Sequence, residues 1–196
     1  MSYTRPMRRS FLAALPSVPS LCLICGLVAM AVTPAKAVTV VPLSFEELVR
    51  QSSSVIYGRV VDVRGQWTDD RRSIDSLVTV EVLKGLKGTS AAELTVTVPG
   101  GQIGRYLNLL PGAPAFARGD LAVLFLTARG ARLPITTGFT QGVYRVRRDA
   151  TSGAALVTPP VIEPVGQPIV RGDHRRKPVS LVAFEAAVRS VRDVAR

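Results

Sequence analysis

The sequence predicts a mainly β protein: a small, closed or nearly closed antiparallel barrel, with a short helix before it and an amphipathic helix after it. Two segments of period 2 and one doubly covered strand carry that expectation. In Val78, Val80 and Val82, and again in Leu94, Val96 and Val98, apolar residues alternate with Thr79, Glu81, Thr95 and Thr97. That is the pattern of a sheet wet on one face. Leu121 to Leu126 is instead a continuous apolar run, as in a strand buried on both faces. Short antiparallel strands of this kind favour closure, because closure removes edges that would otherwise recruit other chains.

The elements follow in order. Ser44 and Glu47 have the spacing of a capping box, and Leu43 with Leu48 that of a hydrophobic staple, so a helix is expected from Phe45 to Ser52. Val55 to Arg64 is rich in β formers and reads as the first strand. Gly85 and Gly88 are expected to turn the chain after the second, and Pro99-Gly100-Gly101 to stop the third. Further strands are expected over Leu121–Leu126, Arg132–Thr137 and Gly142–Arg147, the last forming a hairpin with Ala154–Thr158 across the turn-rich Asp149–Gly153. Residues 159–178 hold five prolines and read as a linker. Leu181, Phe184, Val188 and Val191 then form one stripe of a helix over Leu181–Ala195, begun by Ser180. An isolated helix of about fifteen residues is marginal in water, so this stripe is expected to pack on the barrel.

The first 37 residues read as an export signal. Arg5, Arg8 and Arg9 make a basic start, an apolar stretch runs from Phe11 to Val32, and Ala35-Lys36-Ala37 supplies a small-x-small site with cleavage between Ala37 and Val38. Arg8-Arg9-Ser10-Phe11-Leu12 resembles the twin-arginine pattern, with a general secretory signal or a retained membrane anchor as the alternatives. The expected location is periplasmic or secreted, with no membrane attachment once the signal is removed. Cys22 and Cys25 both lie in the signal, so the remainder, residues 38–158 as barrel, 159–178 as linker and 179–196 as helix, must be held by packing alone. It also has no thiolate chemistry.

The chain carries a formal charge of +11, of which Arg5, Arg8, Arg9 and Lys36 supply four, leaving +7 after cleavage. Most of the remaining basic residues are scattered. Arg171, Arg175, Arg176 and Lys177 cluster, and they are the candidate contacts for an acidic polymer such as cell-wall glycan or exopolysaccharide. Nucleic acid is disfavoured, because export separates the protein from it.

The long insert from Gly100 to Asp120 falls between the third and fourth strands, where an oligonucleotide/oligosaccharide-binding (OB) barrel places its helix or long loop. The predicted fold class is therefore mainly β, an OB-like antiparallel barrel. Val38-Thr39-Val40-Val41-Pro42, then a helix, then Ser53-Ser54-Val55-Ile56-Tyr57-Gly58-Arg59-Val60-Val61, resembles the start of the netrin-like OB domain of the tissue inhibitors of metalloproteinases. In that family the first residue chelates the protease zinc and two cysteines tether the segment. Val38 and Val40 stand where those cysteines would be, so the resemblance implies the barrel and, as an alternative function, a metalloprotease-inhibitor-like role in which a free, untethered Val38 offers the chelating amino group and carbonyl.

No catalytic set is visible, and the chain is expected to be a binding protein rather than an enzyme, with no cofactor and no metal. His174, the sole histidine, sits in the polar linker without an orienting partner. Asp69 and Asp70 read as a solvated turn, and Ser52, Ser53 and Ser54 have no base nearby in sequence. The candidate surface is placed by analogy with OB barrels, which bind along one face and through the loop after the first strand. That loop offers Trp67, Arg71 and Arg72, and the insert offers Arg105, Tyr106, Phe116 and Arg118. An envelope or extracellular protein is the expected partner.

Overall fold

The computed structural model describes residues 42–88, 91–160 and 177–194. The chain divides after Val38, and the account below concerns the second unit alone. The expected cleavage site at Ala37 and Val38, and Arg171, Arg175 and Arg176, lie outside the described residues.

Helix α1 (Phe45–Gln51) starts at the expected capping box: the Ser44 hydroxyl accepts from the Glu47 N–H, and the Glu47 carboxylate accepts from the Ser44 N–H. Lys87 closes its other end from far along the chain, its ammonium donating to the carbonyls of Val49 (2.5 Å) and Ser52 (2.7 Å). These are carbonyls that a helix end leaves without partners. Strands β1 (Ser54–Trp67) and β2 (Ile74–Lys87) form one long hairpin, and β3 (Glu93–Pro99) extends it antiparallel to β2. Both hairpin strands outrun their sequence signals. Gly85 pairs with Ile56 inside the ladder rather than turning the chain, and only Gly88, at φ 72°, ends it.

After the insert, β6 (Leu121–Arg129) returns to pair with β1 along Ser54–Arg59. Strand β1 can serve both neighbours because it bends, with register shifts around Gly58. A side chain there would strike Val80 and the Glu81 carbonyl. The other edge of β6 is shared: β7 (Arg132–Thr136) takes Leu126–Arg129, and β8 (Val143–Arg148) takes Leu121–Leu124. Between β7 and β8 a 3-10 helix (Phe139–Gly142) bulges out, with Gly138 and Phe139 both at positive φ (63° and 57°). Strands β1, β2, β3, β7 and β6 thus make a barrel-like ring that does not close, since β3 meets β7 at the single parallel pair Thr97 and Ile135. The first strand pairing with the second and fourth, and the third lying parallel to the fifth, is the OB arrangement.

From β8 the sheet continues outward as β9 (Ala155–Thr158) and β10 (Val179–Ser180), which leads into α2 (Leu181–Val194). Two cores result. The ring interior is aliphatic: Ile56, Val60, Val78, Val80, Val96, Val98, Ala122, Leu124 and Leu126. The outer core, under the two helices, gathers Leu48, Val49, Val55, Val123, Phe125, Tyr144, Phe184 and Val188. Alternate residues of β6 enter each, as expected of its unbroken apolar run. The α2 stripe docks as the sequence predicts, with Phe184 and Val188 buried and Leu181 and Val191 against the same cluster.

Candidate functional site

Trp67 and Tyr106, remote in sequence, meet edge to face at one end of the barrel, with ring centroids 5.7 Å apart and planes at 63°. Trp67 is the last residue of β1, opposite Ile74, and not part of the following loop. Tyr106 opens β5 (Tyr106–Asn108), which pairs with β4 (Gly101–Ile103) inside the insert. Here the insert forms a hairpin, not a helix. Arg105 lies over the Tyr106 ring, 5.2 Å from its centroid, and donates to the phenol oxygen at 3.2 Å. Tyr106 is 51% exposed and Trp67 38%, and Leu107, Leu109 and Leu110 of the same insert are exposed as well. Because side chains alternate along a strand, the hairpin presents Tyr106 on one face and Leu107 on the other.

Close backbone approach holds this hairpin on the barrel. At Gly65 a side chain would collide with the Gln102 carbonyl and Ile103, so only glycine lets β4 lie against β1. Ser76 donates to the Gly100 carbonyl at 2.7 Å, and Asn108 donates to the Ser73 hydroxyl at 2.5 Å. Burial raises the Asp75 carboxyl above its ordinary range, partly offset by the charge of Arg129.

Arg71 and Arg72 are exposed in the β1–β2 turn, Arg71 in the left-handed region at φ 54°. The Asp70 carboxylate accepts from the Thr68 hydroxyl (2.6 Å) and the Arg72 N–H (3.1 Å). Those two bonds, the Thr68 one foremost, lower its pKa. Asp70 therefore shapes the turn. Among the described residues no group of three or more His, Cys, Asp or Glu could hold a metal ion.

Phe116 is engaged elsewhere. Phe116 is half-buried against the ring core and lies under the guanidinium of Arg145, 5.0 Å from its ring centroid. Arg118 is exposed in the turn before Asp120. Arg145 also pairs with Asp120 at 2.7 Å and donates to the Ala115 carbonyl. Of the basic cluster only Lys177 is described, and it is exposed.

Sequence reasoning missed a buried hydroxyl chain. Ser52 donates to the Leu48 carbonyl at 2.7 Å and meets Thr137 at 2.9 Å, which meets Thr127 at 2.9 Å. Among the described residues no basic side chain bonds to these three hydroxyls, and they tie the end of α1 to β6 and the residue after β7. Nothing in the sequence flags it, because its members are separated by the whole barrel. Among the described residues no helix is long and apolar enough to cross a membrane. Compared with known proteins, no family model, no curated protein and no solved structure matches this chain.

Proposed function

We propose that the chain is an exported binding module whose OB-like barrel engages an envelope or extracellular protein partner through the Trp67 and Tyr106 end. The observation that carries this reading is the half-exposed aromatic pair, formed where a hairpin pinned to the barrel meets the end of β1. Half-exposed aromatic rings with an arginine over one of them are the composition of a protein contact centre. A sugar is the poorer fit. Rings inclined at 63°, with Arg105 over the face of Tyr106, offer no flat platform for stacking. Export rests on the leader pattern of Arg8, Arg9 and Ala35-Lys36-Ala37. The reading is of a binder rather than an enzyme and involves no cofactor.

The test places a photo-cross-linking phenylalanine at Tyr106 of the full chain, with Val182 on α2 as the exposed control position. A partner trapped at Tyr106 and not at Val182 is purified and titrated against the unsubstituted chain. The Trp67→Ala, Tyr106→Ala double variant is expected to weaken that binding about tenfold or more. Equal trapping at both positions, or unchanged affinity in the double variant, defeats the reading.

A further inference from the structure

A groove of ≈ 440 Å3 runs between the insert, the start of β8 and the end of β9, away from the aromatic pair. Its floor is one face of β8, where Val143, Arg145 and Arg147 alternate with the buried Tyr144 and Val146. Its walls are Ala113, Pro114 and Ala115 on one side and Pro159 and Pro160 on the other. Alanine and proline have no rotamer freedom to lose, so these walls are already in their bound form.

The two arginines differ. Arg145 is engaged by Asp120, the Ala115 carbonyl and the Phe116 ring, and its charge is offset by that of Asp120. Arg147, one pleat further on the same face, is exposed and has no side-chain hydrogen bond or ion pair among the described residues. A second groove, lined by Gly119, Asp120 and Leu121, borders the same two arginines, so the free guanidinium stands where both depressions meet. Thr158, opposite Arg145 in the β8–β9 ladder, lines the first groove with a hydroxyl that likewise has no partner among the described residues.

We propose that this groove binds a carboxylate carried on a small apolar body, with Arg147 anchoring the anion and Thr158 donating to it. One uncompensated guanidinium matches a monoanion, and a guanidinium can grip a carboxylate through two parallel hydrogen bonds. The alanine and proline walls take the apolar remainder. A peptide C-terminus and a free carboxylic acid share this chemistry. The site is independent of the aromatic end.

The full chain, labelled with 15N, is titrated with acetyl-Ala-Pro-Val bearing a free C-terminus, with the same peptide as its amide, and with isovalerate. Saturable amide shifts at Ala115, Arg147 and Thr158 are expected with an acid and not with the amide. Tighter binding of the peptide acid identifies a peptide terminus as the ligand, and equal or tighter binding of isovalerate identifies a small acid. Arg147→Gln, at an exposed position, is expected to weaken binding about tenfold or more. The Trp67→Ala, Tyr106→Ala variant should bind unchanged, which separates this site from the partner surface. Failure of both acids to bind, equal binding of the amide, or full affinity in Arg147→Gln overturns the proposal.

Discussion

Two groups of aromatic rings in this protein share a geometry and differ in fate. Under the helices, Phe45, Phe125, Tyr144 and Phe184 pack together, with centroid distances from 5.2 Å for Tyr144 and Phe184 to 6.4 Å for Phe45 and Tyr144. At the barrel end, Trp67 and Tyr106 stand 5.7 Å apart edge to face, as Phe45 does to each of its three neighbours. The first group is drawn from α1, β6, β8 and α2; Phe125, Tyr144 and Phe184 are buried and Phe45 partly so, and their area holds four elements together. The second joins a strand end to a hairpin and stays half exposed. Ring geometry alone therefore says nothing of role. What separates a structural aromatic cluster from a candidate contact surface is how many elements cover it.

The largest test of that difference removes one of the covering elements. Truncation after Pro178 deletes β10 and α2 and with them the buried Phe184 and Val188. At about 1.5 to 3 kcal/mol for each fully buried side chain, the loss is expected to reach about 3 to 6 kcal/mol in chemical denaturation. An unchanged midpoint would mean that α2 does not contribute to the outer core.

A smaller effect is expected from pH. Burial, with a further push from Glu46, raises the Tyr144 phenol to about 12. A raised pKa means that the folded state holds its proton where the unfolded chain has already lost it. Stability from this group is thus complete below about pH 10 and falls as pH rises toward about 12, by about 2 to 3 kcal/mol in all. The drop is read as the difference between wild type and Tyr144→Phe across that window. Parallel curves would show that Tyr144 ionises as freely folded as unfolded.

The exposed pair should barely register in stability. A double-mutant cycle on Trp67→Ala and Tyr106→Ala is expected to give a coupling of at most about 1 kcal/mol. A coupling several times larger would place the pair with the structural cluster and erase the contrast.

What the sequence made legible was local or periodic. The capping box of Ser44 and Glu47, the alternation in β2 and β3, the doubly buried β6 and the α2 stripe each fit in one window of chain, and each appears where expected. What it hid depends on register. Trp67 became a strand residue because β1 stays paired out to Ile74, and Gly85 stayed in the ladder for the same reason. Gly65 was the available hint that another backbone lies on β1, yet which segment arrives there follows only from closing the insert. The candidate surface was half legible: Trp67, Arg105 and Tyr106 converge, whereas Phe116 serves Arg145 instead. Residue type marks an aromatic as interesting, but pairing across distant strands decides its neighbours. The Arg147 groove was invisible for that reason, being assembled from three separate segments.

Strand β6 belongs to both cores at once, with Val123 and Phe125 in one and Ala122, Leu124 and Leu126 in the other. Its two edges also hydrogen-bond to three different strands. No partial opening can release it without breaking the ring and the helix-covered layer together. Barrel and helical cover are accordingly expected to unfold as one cooperative unit, with the amides of Val123 and Leu124 exchanging with solvent only when the whole domain opens.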